Sequence, residues 1–173
     1  MCDIFNFLKT NMEIIVSISA LFIACLTYYQ SRIHNYLSVK PIANILPQDY
    51  ENKICVILQN KGVGPLITKS IKFVNTQTKE EKKILVDFMP ELTGNSSWTN
   101  FSKASKYILT PNEDKILLEL STNEIDDNFE INKTSIRKAL KDLVVYIEYE
   151  GVYGNQTEKL EYPLKWYKRH FKN

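Results

Sequence analysis

The chain has 173 residues, 44% of them apolar and 24% charged, a balance that folds around a core and excludes a disordered polypeptide. That length holds one domain plus an accessory segment and excludes two ordinary domains. Against 20 acidic side chains stand 22 basic ones, a net charge of +2, so the strong basic bias of a nucleic-acid-binding domain is absent and nucleic acid is not an expected partner.

After an N-terminal flank (1–11), residues 14–29 read IIVSISALFIACLTYY, without charge or proline. At about 1.5 Å per residue this run gives roughly 24 Å of helix, and its flanks extend it toward the ~30 Å of a bilayer core. A transmembrane helix is expected over 12–30. Its anchors are Ile14, Ile15, Leu21, Phe22, Ile23, Leu26, Tyr28 and Tyr29, the tyrosines suited to the headgroup level. The lipid bilayer is thus the first expected partner.

A helix apolar all round inside a soluble protein needs a larger body to surround it. A cleavable signal peptide begins with a basic region, whereas Asp3, Lys9 and Glu13 make this one acidic. Phe22-Ile23-Ala24-Cys25 is similar to the motif that precedes a lipidated cysteine, but Leu26, Tyr28 and Tyr29 prolong the apolar run where a polar tether belongs. Arg32 and Lys40 after the segment outnumber Lys9 before it, which favours a cytoplasmic C-terminal domain at a bacterial inner membrane. Only Cys55 lies outside the N-terminal segment, so the domain has no internal disulfide, as in a reducing compartment.

Residues 31–40 form a linker in which Ile33, Tyr36, Leu37 and Lys40 recur at helical spacing, and Pro41 marks its boundary. His34 reads as a polar residue at an interface. From 41 to 166 short β-like runs alternate with turn signals. Residues 54–58 (ICVIL) read as a strand buried on both faces, followed by the turn Asn60, Lys61, Gly62, Val63, Gly64, Pro65, whose glycines are expected to take positive φ. Residues 66–74 alternate imperfectly, with Ile71 and Phe73 opposite Lys72. Residues 107–109 and 116–120 read as a hairpin across 110–114, and 143–150 pairs with 160–164 across 151–155. Residues 82–92 are ambiguous between strand and helix. Thr134 or Ser135 caps a short helix carrying Ile136, Leu140 and Leu143. The expected fold class is mainly β: an immunoglobulin-like β-sandwich, or a small barrel, with one or two short helices.

Catalytic apparatus is not evident. His34 and His170 lie outside the β-rich region, which excludes a Ser-His-Asp or Cys-His relay within it, and one cysteine without a histidine there makes a zinc site equally unexpected. Neither a phosphate-binding loop nor a dinucleotide fingerprint occurs, and no cofactor is expected. Glu124, Asp126, Asp127 and Glu130 read as a solvated loop, their spacing unlike a calcium loop. The turn of Asn60, Lys61, Gly62, Gly64 and Pro65 has the composition of an anion-binding nest, its structural role being the default. The 167–173 tail, with Trp166 before it, mixes aromatic and basic residues. Trp166, Lys168, Arg169 and Lys172 are candidate lipid contacts, against the plainer reading of a frayed end.

The pattern His34-Asn35-x-Leu37-Ser38-Val39-Lys40-Pro41, then Asn60-x-Gly62-x-Gly64-Pro65, then Tyr149 with Tyr153-Gly154, resembles a diffuse group of uncharacterised bacterial single-pass membrane proteins. The resemblance implies an N-terminal membrane helix before a small β domain, and implies no activity. The leading expectation for function is a membrane-tethered, non-enzymatic interaction or sensor module that engages another membrane or cytoplasmic protein, or a second copy of itself. The alternative is a membrane-disrupting effector similar to those of anti-phage defence, switched by a ligand or by oligomerisation, with Ser17, Ser19, Ala20 and Ala24 small enough for close helix approach. A third reading is an envelope lipoprotein lipidated at Cys25. An enzyme comes last.

Overall fold

The computed structural model describes residues 2–94, 96–103, 106–154 and 156–171, without the side chains of 2–6 and 8–10. The chain forms two compact units, residues 1–38 and residues 39–173.

The first unit is one helix, α1 (Cys2–Ser38), of 37 residues. No glycine or proline interrupts it. The hydroxyls of Ser17 and Thr27 donate to Glu13 O and Ile23 O, each at 2.8 Å, so these polar groups are satisfied within the helix. The expected division between a span at 12–30 and a helical linker at 31–40 is not marked by any break. Helix ends three residues before Pro41, where Ser38 Oγ donates to Asn35 O.

Among its described residues the second unit carries nine strands: β1 (Ala43–Tyr50), β2 (Lys53–Asn60), β3 (Leu66–Asn75), β4 (Glu81–Lys82), β5 (Asn100–Phe101), β6 (Ile108–Leu109), β7 (Asp114–Ser121), β8 (Leu143–Glu150) and β9 (Glu158–Pro163). A helix, α2 (Asp127–Leu140), joins β7 to β8, and 3₁₀ turns occupy Leu85–Phe88 and Leu164–His170. One antiparallel sheet has the order β1-β2-β7-β5; the other has the order β4-β3-β8-β9, with β6 also on β3. Ile45, Val56, Leu58 and Leu118 of the first sheet and Ile71, Phe73, Val145 and Ile147 of the second belong to one buried core, joined by Ile136 and Leu140 of α2. Burial of such side chains, at about 25 cal/mol per Å², is the main drive for closing the two sheets on one another.

Several expectations need correcting. The chain is mixed, about 34% helix and 34% strand, because α1 is long and α2 has fourteen residues; the described residues form no closed barrel. α2 begins at Asp127, not near Thr134. Asp126 caps it, its carboxylate accepting from Phe129 N at 2.7 Å, so the acidic group read as a solvated loop includes a helix start. Residues 108–109 do not form a hairpin with β7: they pair with β3, and the 110–113 turn carries the chain from one sheet to the other. Residues 82–92 resolve into the short strand β4 and a 3₁₀ turn.

The imperfect alternation of β3 has a local cause. Its register against β8 shifts between Thr68 and Ser70, so the buried positions change from Leu66 and Thr68 to Ile71 and Phe73. β2 is central, between β1 and β7, and is buried throughout residues 54–60. β1 contains Pro47, tolerated because β1 lies at the sheet edge.

Candidate functional site

The chain enters the second unit at Val39 and crosses the turn at residues 60–65. A Cβ on Gly64 would lie 1.8 Å from Val39 O, and one on Gly62 would lie 2.4 Å from Lys40 O and Ile42 N. These glycines serve close backbone approach; the glycines with positive φ are Gly94 and Gly154. Asn60, fully buried, brackets the crossing. Its amide donates to Gly64 O, Leu109 O and Thr110 O at 2.7–3.2 Å, and its Oδ1 accepts from Gly62 N at 3.0 Å and from Ile42 N at 3.4 Å. Lys61 N donates to Ile42 O. The amides of Lys61 and Gly62 are thus engaged inside the protein, which removes them from an anion nest. Pro65 leads into β3.

The turn after β8 meets the same crossing, since a Cβ on Gly151 would lie 2.9 Å from Pro41 Cδ. Lys40 is ion-paired to Glu158 at 2.8 Å. The turn at 60–65 and the connection at 151–155 therefore share one end of the domain; Asn155 itself lies outside the described residues.

The outer face of the second sheet carries a groove of about 660 Å³ lined by Ser70, Lys72, Tyr146, Glu148, Lys159 and Glu161, among others. Glu148 receives Lys159 at 3.1 Å and Ser70 Oγ at 3.3 Å, Lys72 pairs with Glu81 at 3.1 Å, and Tyr146 donates to Glu161 at 3.2 Å. The hydrogen bond and charge of Lys159 hold the Glu148 carboxyl below the usual carboxylate range. Cross-strand placement on β3, β8 and β9 creates this surface of alternating charge.

At the opposite end of β1, the side chain of Asp49 is almost wholly buried. Arg137 grips it in bidentate fashion, Nε to Oδ2 at 2.7 Å and a second nitrogen to Oδ1 at 2.8 Å, while Lys133 Nζ lies 3.5 Å from Oδ1. Lys133 also donates to Glu51 O at 2.8 Å and to Tyr50 O, tying α2 to the turn after β1. His170 Nε2 lies 2.8 Å from Asp49 Oδ2 and 3.0 Å from Arg169 Nε. Protonated there, it donates to Asp49; bare, it accepts from Arg169. Burial raises the Asp49 carboxyl, but the Arg137 hydrogen bond and the charges of Arg137, His170 and Lys133 outweigh it and hold it below 3.8. Burial, opposed by Asp49 and aided by the neighbouring cations, holds His170 below 6.5.

His170 is therefore part of the domain, and its distance in sequence from the β-rich region was no ground for setting it aside. The ring's hydrogen-bond partners are Asp49 and Arg169, and Arg137 already neutralises the carboxylate. This arrangement holds the end of the chain in place. Tyr167 is fully buried and donates to Cys55 O at 2.7 Å. Arg169 lies 3.3 Å above the centre of the Trp166 ring, and Lys168 is exposed. The domain thus runs beyond the boundary expected at 166, and Lys172 lies outside the described residues.

In α1, Asn11–Ser38 is long and apolar enough to cross a membrane, and none of its most apolar window is buried. Ile14, Ile15, Leu21, Phe22, Ile23, Leu26, Tyr28 and Tyr29 are all exposed, between 46% and 67%. Cys25 is exposed on the same unbroken helix. No protein-family model matches the chain, and no curated protein or solved structure matches it.

The Asp49 cluster was missed by sequence reasoning. Its members are spread over more than 120 positions, and only the capping pattern at Asp126, which fixes the face of α2 that carries Lys133 and Arg137, was there to be read.

Proposed function

We propose that this chain is a membrane-tethered, non-enzymatic interaction or sensor module, its soluble part an immunoglobulin-like sandwich. The observation that carries the tether is α1, whose apolar side chains have no protein to cover them while the second unit closes its own core. The strand order supports the sandwich: β1-β2-β7-β5 and β4-β3-β8-β9 follow the A-B-E-D and C′-C-F-G orders of that architecture, with α2 in the E–F connection. The groove over β3, β8 and β9 is the favoured partner surface. Tethering concentrates it near other membrane proteins, so that modest contacts suffice. The flanking cations support a cytoplasmic domain at a bacterial inner membrane.

Two measurements test this. The protein should stay in the membrane pellet after carbonate washing and need detergent for release; recovery in the wash removes the tether. From detergent extracts, a Lys159→Glu variant should lose partners that the unaltered chain retains. Equal partner recovery by both would move the binding surface elsewhere. A reporter fused after Asn173 and active on only one side of the membrane reads the orientation.

A further inference from the structure

We infer that the Val39 end of the domain rests on the bilayer, with its turn tips inserted at the headgroup–acyl boundary. This rests on the tether reading above. Five large apolar side chains are at least half exposed there: Ile42 51%, Val63 64%, Ile108 69%, Val152 55% and Tyr153 50%. Among the described residues of the domain only three others of this kind are exposed, Tyr50, Ile125 and Ile131. The five are brought together by the crossing itself. Val63 stands between the two glycines pressed on residues 39–42, and Val152 and Tyr153 follow Gly151, which abuts Pro41. Ile108 precedes Leu109, whose carbonyl is held by Asn60.

Their exposure is built into the fold. The Asn60 bracket and the close glycine contacts fix the turns that carry them, so an apolar surface is held outward at a cost in hydration that a lipid surface removes. Carboxylates of this end are occupied: Glu158 with Lys40, Glu150 with Lys69, Glu113 with the Thr110 amide and hydroxyl, and Asp114 with Gln59. Lys61 is exposed beside Val63, the sign that suits lipid phosphates.

The occupant follows from the connection. Val39 is joined directly to Ser38, the last residue of the helix that is long and apolar enough to span. It lies ten positions beyond Tyr29, at most about 15 Å at helical rise, so this end of the domain is tied close to the headgroups. The basic aromatic segment, first expected to be the lipid contact, lies at the other end of β1, about 23 Å away along an eight-residue strand.

The test uses the full chain, with Cys2→Ser and Cys25→Ala and the buried Cys55 left in place, reconstituted into phosphatidylcholine vesicles. A polarity-sensitive fluorophore is attached in turn at Val63→Cys, Val152→Cys, Glu51→Cys in the opposite turn, and Leu21→Cys in α1. Nitroxide-labelled phosphatidylcholine, with the spin label near the headgroup or deep in the acyl chain, serves as quencher. The labels at 63 and 152 should shift to the blue and lose about half or more of their emission to the shallow quencher, while the label at 51 is unchanged. Quenching at 21 by the deep probe with none at 63 and 152 overturns this inference and leaves the tether intact. No quenching at 21 removes the tether and this inference with it. Equal quenching at 51, 63 and 152 signifies unspecific adsorption and also overturns it.

Discussion

Gly64 and Gly154 show how one residue type serves two different needs. At Gly64 the neighbour is backbone, Val39 O, which cannot swing away as a side chain would. Gly64→Ala should therefore lower the stability of the domain by about 2–4 kcal/mol, as overpacking of a fixed site does. Gly154 has φ near +60° and a Cβ there would meet only the Glu150 carboxylate, at an ordinary 3.9 Å, so Gly154→Ala should cost only about 1 kcal/mol. Urea midpoints of the two variants, followed by tryptophan fluorescence, give the comparison; equal losses would mean the crossing at Val39 is looser than described. His170 supplies a pH dependence of definite sign. Its folded pKa lies below 6.5, so the unfolded chain binds the proton more readily. Stability is full above 6.5 and falls as pH drops through the lowered folded value. Asp49, also depressed, adds a second loss on further acidification below 3.8. Melting temperatures between pH 7 and 5 should fall for the unaltered chain and stay flatter for His170→Gln, whose side chain does not titrate.

The elements differ in how plainly the sequence declares them. α1, β2, β8 and β9 each rest on a continuous apolar run or a regular alternation, and a local signal of that kind survives folding unchanged. β1 has no such signal, because Pro47 and the polar residues around it make sense only at an edge paired to β2. β6 was assigned to the wrong neighbour for a related reason: a turn composition at 110–114 says that the chain reverses, not which sheet receives it. The bracket at Asn60 could be seen as a turn, but its five hydrogen bonds reach residues 42, 109 and 110, which no spacing rule connects. The aromatic and basic residues of the closing 3₁₀ turn suit a frayed end or a membrane surface as well as a docked turn, so its place in the domain is not legible locally. Burial of Tyr167 settles its structural part. Tyr167→Phe should lose the bond to Cys55 O and about 1 kcal/mol, whereas Tyr167→Ala opens a cavity and should cost about 3–5 kcal/mol. If the alanine variant melts with the phenylalanine one, the turn is not part of the cooperative core.

For the whole molecule, the two ends of the domain have separate duties. One gathers the incoming chain and three turn tips; the other gathers α2, the hairpin between β1 and β2, and the closing turn around Asp49. The groove lies between them on the outer face of β3, β8 and β9, and so remains open when the Val39 end is occupied by lipid. A separation of this kind lets one surface be fixed while another binds. It also determines how the domain bears load. A pull entering at Val39 and resisted at the Asp49 end would run along β1, not across it. All eight paired positions between β1 and β2 would then resist in shear together, where a crosswise pull would open them one at a time.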